Sequence, residues 1–161
     1  MPLTGAGLID AAQALLDSFT TGLEAQGIAV PSIRYVAPGS NIAFDGAQLV
    51  VGLGQLDQGP AGGSNMPLPP HLTQHRVEFT VLLLRAVATI TDRGMPSANE
   101  IAADGATMLT DAAALFAVGE SLKNNYALVP PTAAIVIGPL IPLGPEGGLA
   151  GSRLTIAWTV T

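Results

Sequence analysis

The stretch Arg76-Val77-Glu78-Phe79-Thr80-Val81-Leu82-Leu83-Leu84-Arg85 decides how this sequence folds. Side chains alternate across a strand, so Val77, Phe79, Val81 and Leu83 share one face while Glu78, Thr80, Leu82 and Leu84 share the other. The pattern predicts a strand from Gln74 to Ala88. Its first face is wholly apolar, and the second turns apolar at Leu82 and Leu84. A strand of this kind needs a layer on each side, the second being either a helix of the same chain or a neighbouring subunit. Arg76 and Arg85 bracket the strand, and their odd spacing puts them on opposite faces. Two readings stand for each: a partner to an acid of an adjacent subunit, or a surface arginine with its stem along the sheet.

Upstream of the strand, Gln55 to Thr73 holds Pro60, Pro67, Pro69 and Pro70 with several glycines and no period, which reads as a long projecting loop. Before it, Gln48 to Leu53 and Ile33 to Val36 are β-prone and separated by turn-forming clusters. The chain opens with a helical stripe, Leu8, Ala12, Leu15, Leu16, Phe19 and Leu23, predicting a helix over Gly5 to Gln26 that Gly27 caps.

Downstream, Ser97-Ala98-Asn99-Glu100 fits a capping box, where serine accepts from one orphan amide and glutamate reaches back to another. The helix it starts runs to about Leu122, with Ile101, Met108, Leu109, Ala112, Leu115, Phe116 and Leu122 as its apolar stripe. Gly105 and Gly119 lie on that side, where small residues permit close approach to a sheet. Asp104 and Asp111, seven apart, read as a solvated face. Ala133 to Ile141 and Ser152 to Thr161 are β-prone and joined by a Gly-rich link, Leu143 to Gly151. The last segment alternates Leu154, Ile156, Trp158 and Val160 with smaller or polar residues, as a half-buried strand does. The expectation is one α+β domain over residues 1–161, a mainly antiparallel β-sheet packed against two helices.

Composition narrows the function classes. With 161 residues, 48% of them hydrophobic, the chain can bury one core, and with only 11% charged residues it escapes charge-driven disorder. A net charge of -6 opposes the basic footprint that grips phosphates, which argues against nucleic-acid binding. Without cysteine there is no disulfide framework and no thiolate metal site. The N-terminus lacks a basic segment ahead of an apolar run, so no signal peptide is expected. Residues 124–145 are uncharged and long enough for a membrane span, but Pro130, Pro131, Pro139, Pro142 and Pro145 would leave backbone groups unsatisfied in lipid.

Motifs for chemistry fall short. His71 and His75 have helical metal-ligand spacing without a helix or a third ligand. Gly52-Leu53-Gly54 lacks the third glycine and the following helix of a dinucleotide site. Gly39-Ser40 and Gly63-Ser64 sit in turn-like stretches rather than a nucleophile elbow, and Lys123 follows a helix end that favours a cation. No catalytic residue, metal ligand or cofactor site is assigned, and an enzyme is not expected.

Four pieces carry a family resemblance: Gln48-Leu49-Val50-Val51, the strand Arg76 to Arg85, the helix after Pro96-Ser97-Ala98, and the closing strand. In this order the chain resembles the tail-terminator proteins of long-tailed siphophages, especially those of actinobacterial hosts. The resemblance implies a virion protein of the tail neck, assembled in the host cytoplasm into a ring that is commonly hexameric. Such a ring caps the tail tube, stops its polymerisation and meets the head-side connector. DNA passes through its lumen without specific binding, and an acidic lining would repel it. Under this resemblance the candidate subunit or ring contacts are Arg76, Arg85, Leu82 and Leu84 on the strand. Gln58, Asn65, Met66 and His71 join them from the long loop, and Glu146 from the hairpin link. The C-terminal strand is expected to pair across subunits. The alternatives are another neck component such as a head-tail stopper, or a small ligand-binding protein or enzyme with a pocket between helix and sheet.

Overall fold

A computed structural model describes residues 4–58, 75–90, 94–123 and 135–160. Seven elements follow in order: α1 (Gly5–Ala25), β1 (Ile33–Ala37), β2 (Gln48–Gln58), β3 (His75–Ala86), α2 (Ala98–Leu122), β4 (Val136–Glu146) and β5 (Leu149–Val160). The strands form one sheet in the order β1-β2-β3-β5-β4, with β1 parallel to β2 and every other pair antiparallel. This is the expected α+β class.

Both helices begin and end on local chemistry. The Thr4 hydroxyl accepts from the Gly7 amide at the start of α1. At its end Gly27, at φ +76°, lets its own amide reach the Glu24 carbonyl and that of Ile28 reach Leu23, which satisfies carbonyls the helix would orphan. In α2 the capping box forms: Ser97 Oγ accepts from the Glu100 amide at 3.2 Å, and the Glu100 carboxylate accepts from the Ser97 amide at 2.7 Å. The Ser97 amide, and after it the Ser97 hydroxyl at 2.8 Å, donate to the Glu100 carboxylate and hold that carboxyl below its ordinary value of 4.5. A carboxylate depressed in the folded state stabilises in full above 4.5 and loses that contribution as pH falls through its folded-state value. Hydrogen exchange at the Ser97 and Glu100 amides is therefore expected to quicken below pH 4.5, relative to amides in the middle of α2. Ser97→Ala should show the fast behaviour at every pH.

Both helices pack on one face of the sheet. Phe19, Leu15 and Leu23 of α1 and Leu115, Val118 and Leu122 of α2 bury against Leu49, Val81, Leu83, Leu154 and Ile156. A Cβ at Gly119 would come within 2.8 Å of Leu154, so glycine sets how closely α2 lies on β5. Gly105 is different, for a Cβ there meets nothing within 4 Å.

The opposite face has its own small core. Val50, Leu82, Leu84 and Ala37 are buried, with Tyr35, Ile42 and Leu143 packed against them. The second layer expected over Leu82 and Leu84 is therefore neither a helix nor a neighbouring subunit. The connection 38–47 supplies part of it: Gly39 passes so close over β2 that a Cβ on Gly52 would overlap its carbonyl. Gln48, fully buried, donates from Nε2 to the Ala43 carbonyl at 2.6 Å and pins this crossover down.

Three boundaries differ from expectation. β2 continues to Gln58 past a bulge between Leu53 and Gln55, so residues 55–58 are strand rather than loop. The Gly-rich link from Leu143 to Gly151 is mostly strand, because Gly147 and Gly148, at φ +58° and +81°, make a two-residue turn open to glycine. And among the described residues β5 lies between β3 and β4, so from Leu149 to Ala157 the C-terminal strand is interior rather than an edge. Among the described residues the edges are β1 and β4, and β4 carries Pro139, Pro142 and Pro145, which remove donors from it.

Candidate functional site

α2 is a core helix over half its length. Asp111, Ala114, Leu115, Val118, Gly119 and Leu122 are buried, whereas from Ala98 to Thr110 only Asp104 and Met108 are even partly covered. The expected apolar stripe is thus split. Leu115 and Leu122 enter the core, while Ile101, Leu109 and Phe116 are 56%, 75% and 42% exposed. At 100° per residue, Leu109 and Phe116 lie roughly a third of a turn away from the buried line.

The two aspartates take the inward side and are not a solvated pair. Asp111 accepts from Arg85 Nε at 2.6 Å and Nη2 at 3.2 Å, with side-chain exposures of 7% and 17%. Asp104 Oδ2 accepts from the Ala88 amide at 2.7 Å. With both turned inward, the outward face from Ile101 to Gly119 presents no charged side chain, only alanines and threonines around Leu109 and Phe116.

A groove of about 840 Å³ adjoins this face, between the first half of α2, the segment after β3 and the β4–β5 turn. Val87, Ile90, Met95, Ile101, Met108 and Leu143 line it. Its carboxylate, Asp104, is already engaged with Ala88. The groove therefore offers apolar contact with few polar groups to orient a small molecule.

The sequence-derived candidates fall in several places. Leu82 and Leu84, 3% and 0% exposed, belong to the second core of the chain itself. Arg85, 17% exposed, is paired with Asp111 of the same chain. Arg76 pairs with Glu78 on its own strand at 2.5 Å, opposite Asp57 of β2, so its partner too is internal. Glu146 is exposed at the end of β4, beside the turn. Gln58 is the last residue of β2, in register with His75. Asn65, Met66 and His71 lie outside the described residues, and so does most of the long loop. His75 begins β3, and among the described residues no group of three metal-ligating side chains occurs. Lys123, at the C-cap of α2, pairs with Glu120 at 2.7 Å.

Sequence reasoning missed that Leu109 and Phe116 face outward. The signal was the acids: Asp104 and Asp111 share a helix face, and Arg85 ends the long strand on the face that Val77, Phe79, Val81 and Leu83 give to the core. No protein-family model matches the chain, and no curated protein matches it.

Proposed function

We propose that the chain is a structural subunit that completes its burial by assembling with copies of itself. On the resemblance drawn from its sequence, the assembly is a ring that terminates a siphophage tail tube. The observation that carries the self-assembly reading is the outward face of α2, which has no charged side chain for about four turns, from Ala102 to Ala117, until Glu120 ends it, in a protein of net charge -6. An exposed apolar face of this length is the mark of a protein or membrane contact. A helix that lies on anionic lipid carries lysine or arginine on its polar side, and α2 has neither from Ala98 to Leu122. Protein is the better partner. In this reading the tail tube protein and a head-side connector meet the ring on its two faces, and DNA crosses the lumen unbound.

Electron microscopy of particles made without this chain tests the terminator role. Tails of uncontrolled length with unjoined heads are expected; normal virions would reject it. Tails of normal length without heads would place the chain at the head side instead.

The interface has its own prediction. Leu109→Asp and Ala113→Asp put a charge where the monomer is solvated and the assembly is not. Thermal stability of the isolated chain should barely change, while self-association weakens on the order of a hundredfold, about 3 kcal/mol. Sedimentation velocity reads both states, and unaltered assembly in either variant would remove α2 from the interface.

A further inference from the structure

We propose that the connection 38–47 is a strap that opens on its own, uncovering the sheet face opposite the helices while the helix-covered core stays closed.

The strap follows from the topology. β1 and β2 are parallel, so the chain that leaves Ala37 beside Gly52 must run back along the sheet before β2 starts at Gln48. A helix usually makes such a return and brings its own hydrogen bonds. Here residues 38–47 make it with neither helix nor strand. Gly39 lies against Gly52 and Ala43 meets the Gln48 side chain, so the strap spans Val50 between them. Ile42 packs on the small core that Val50 shares with Leu82 and Leu84.

Little holds it there. Among the described residues, the one hydrogen bond to residues 38–47 is that from Gln48 Nε2 to the Ala43 carbonyl. Pro38, Ser40, Asn41, Ala43, Phe44 and Asp45 are exposed. The pin itself is half made: Gln48 is fully buried, yet its Oε1 accepts from none of the described residues. A buried oxygen without a donor favours any state that wets it, so the side chain that ties the strap down also penalises the closed form. Gly39 near one end and Gly46, at φ +148°, near the other give the backbone places to rotate as the strap lifts. The helix side is held differently. Leu49 and Val51 lie beneath α1, whose buried side chains run from Ala12 to Leu23 and leave the core only with the whole helix. Segments with few hydrogen bonds and few buried contacts open at lower free energy than the domain as a whole.

The absence of cysteine makes thiol labelling a clean test. Val50 and Val51 are neighbours in β2, both at 0% exposure, and they point to opposite faces of the sheet. Val50→Cys and Val51→Cys are made as separate variants and labelled with DTNB. Val50→Cys should react about tenfold faster or more, at a rate that low urea barely changes, because lifting the strap exposes little surface. Val51→Cys should follow the urea dependence of global unfolding. Equal rates with equal urea dependence would overturn the proposal, since the two faces would then open only together.

Gly52→Ala displaces the strap from beneath, because its Cβ would overlap the Gly39 carbonyl. It should raise labelling of Val50→Cys by about another tenfold and leave Val51→Cys within about twofold. A parallel rise at both positions would show that strap and main core unfold as one. Hydrogen exchange in the unaltered chain reads the same opening without a substitution. Protection of the Gln48 side-chain amide should be about tenfold or more below that of the Val81 backbone amide in β3. Equal protection would contradict the proposal.

Discussion

Replacing Gly151 with alanine is expected to cost about 3 kcal/mol or more, at the upper end of what overpacking does. Gly151 is buried in β5, opposite Leu84 of β3 and Leu143 of β4. A Cβ there would overlap the Leu83 carbonyl oxygen and come within 3.0 Å of the Leu84 Cα. Those are backbone atoms of the central strand, held by the ladder on both sides, and no rotamer change relieves the clash. Since domains are stable by only about 5–15 kcal/mol, such a loss puts folding itself at risk. Urea denaturation reads the effect, and a midpoint equal to that of the unaltered chain would show that β3 and β5 do not meet as described. Gly105→Ala is the control: its Cβ enters open space, and stability should rise slightly through helix propensity.

Asp111→Ala is expected to cost about 2–4 kcal/mol, because it leaves Arg85 charged, largely covered and without its carboxylate. The lower bound reflects the 17% of the Arg85 side chain that water still reaches. The pair ties the middle of α2 to the end of β3, so its loss should also free the first half of the helix. A double variant, Asp111→Leu with Arg85→Met, removes both charges and should recover most of the stability. A single substitution that costs under about 0.5 kcal/mol would mean that the pair is solvated and does not orient α2.

The elements themselves were legible where local chemistry specifies them. The apolar spacing from Leu8 to Leu23 and Gly27 define α1 within a residue, and Ser97 with Glu100 defines the start of α2. The alternation from Val77 to Leu83 sets the core face of β3, and Gly119 marks where a helix touches the sheet. What was not legible depends on long-range packing. The position of β5 inside the sheet is a choice of partners, which alternation along one strand does not encode. The turn at Gly147–Gly148 was hidden in a stretch rich in glycine and proline, of which only two residues lie outside β4 and β5. Leu82 and Leu84 announced a second apolar layer, yet its source, the crossover 38–47 with Ile42, has no period to identify it. In α2 the apolar residues span so wide an arc that hydrophobicity alone does not choose the buried side, and the Arg85–Asp111 pair decides it.

The proposed interaction surface follows from that last choice. Once Asp104 and Asp111 are turned inward, the helix that covers the sheet leaves Leu109 and Phe116 facing out, beside an apolar groove. The expected contacts at Arg76, Arg85, Leu82 and Leu84 were the most conspicuous residues in the sequence. Each of them is taken up inside the chain.

If the chain assembles with copies of itself as proposed, native mass spectrometry at micromolar concentration should show one closed species whose mass is a fixed multiple of the 16.3 kDa chain, falling to the monomer in Leu109→Asp. A 16.3 kDa monomer that persists at every concentration, with α2 still folded, would contradict it.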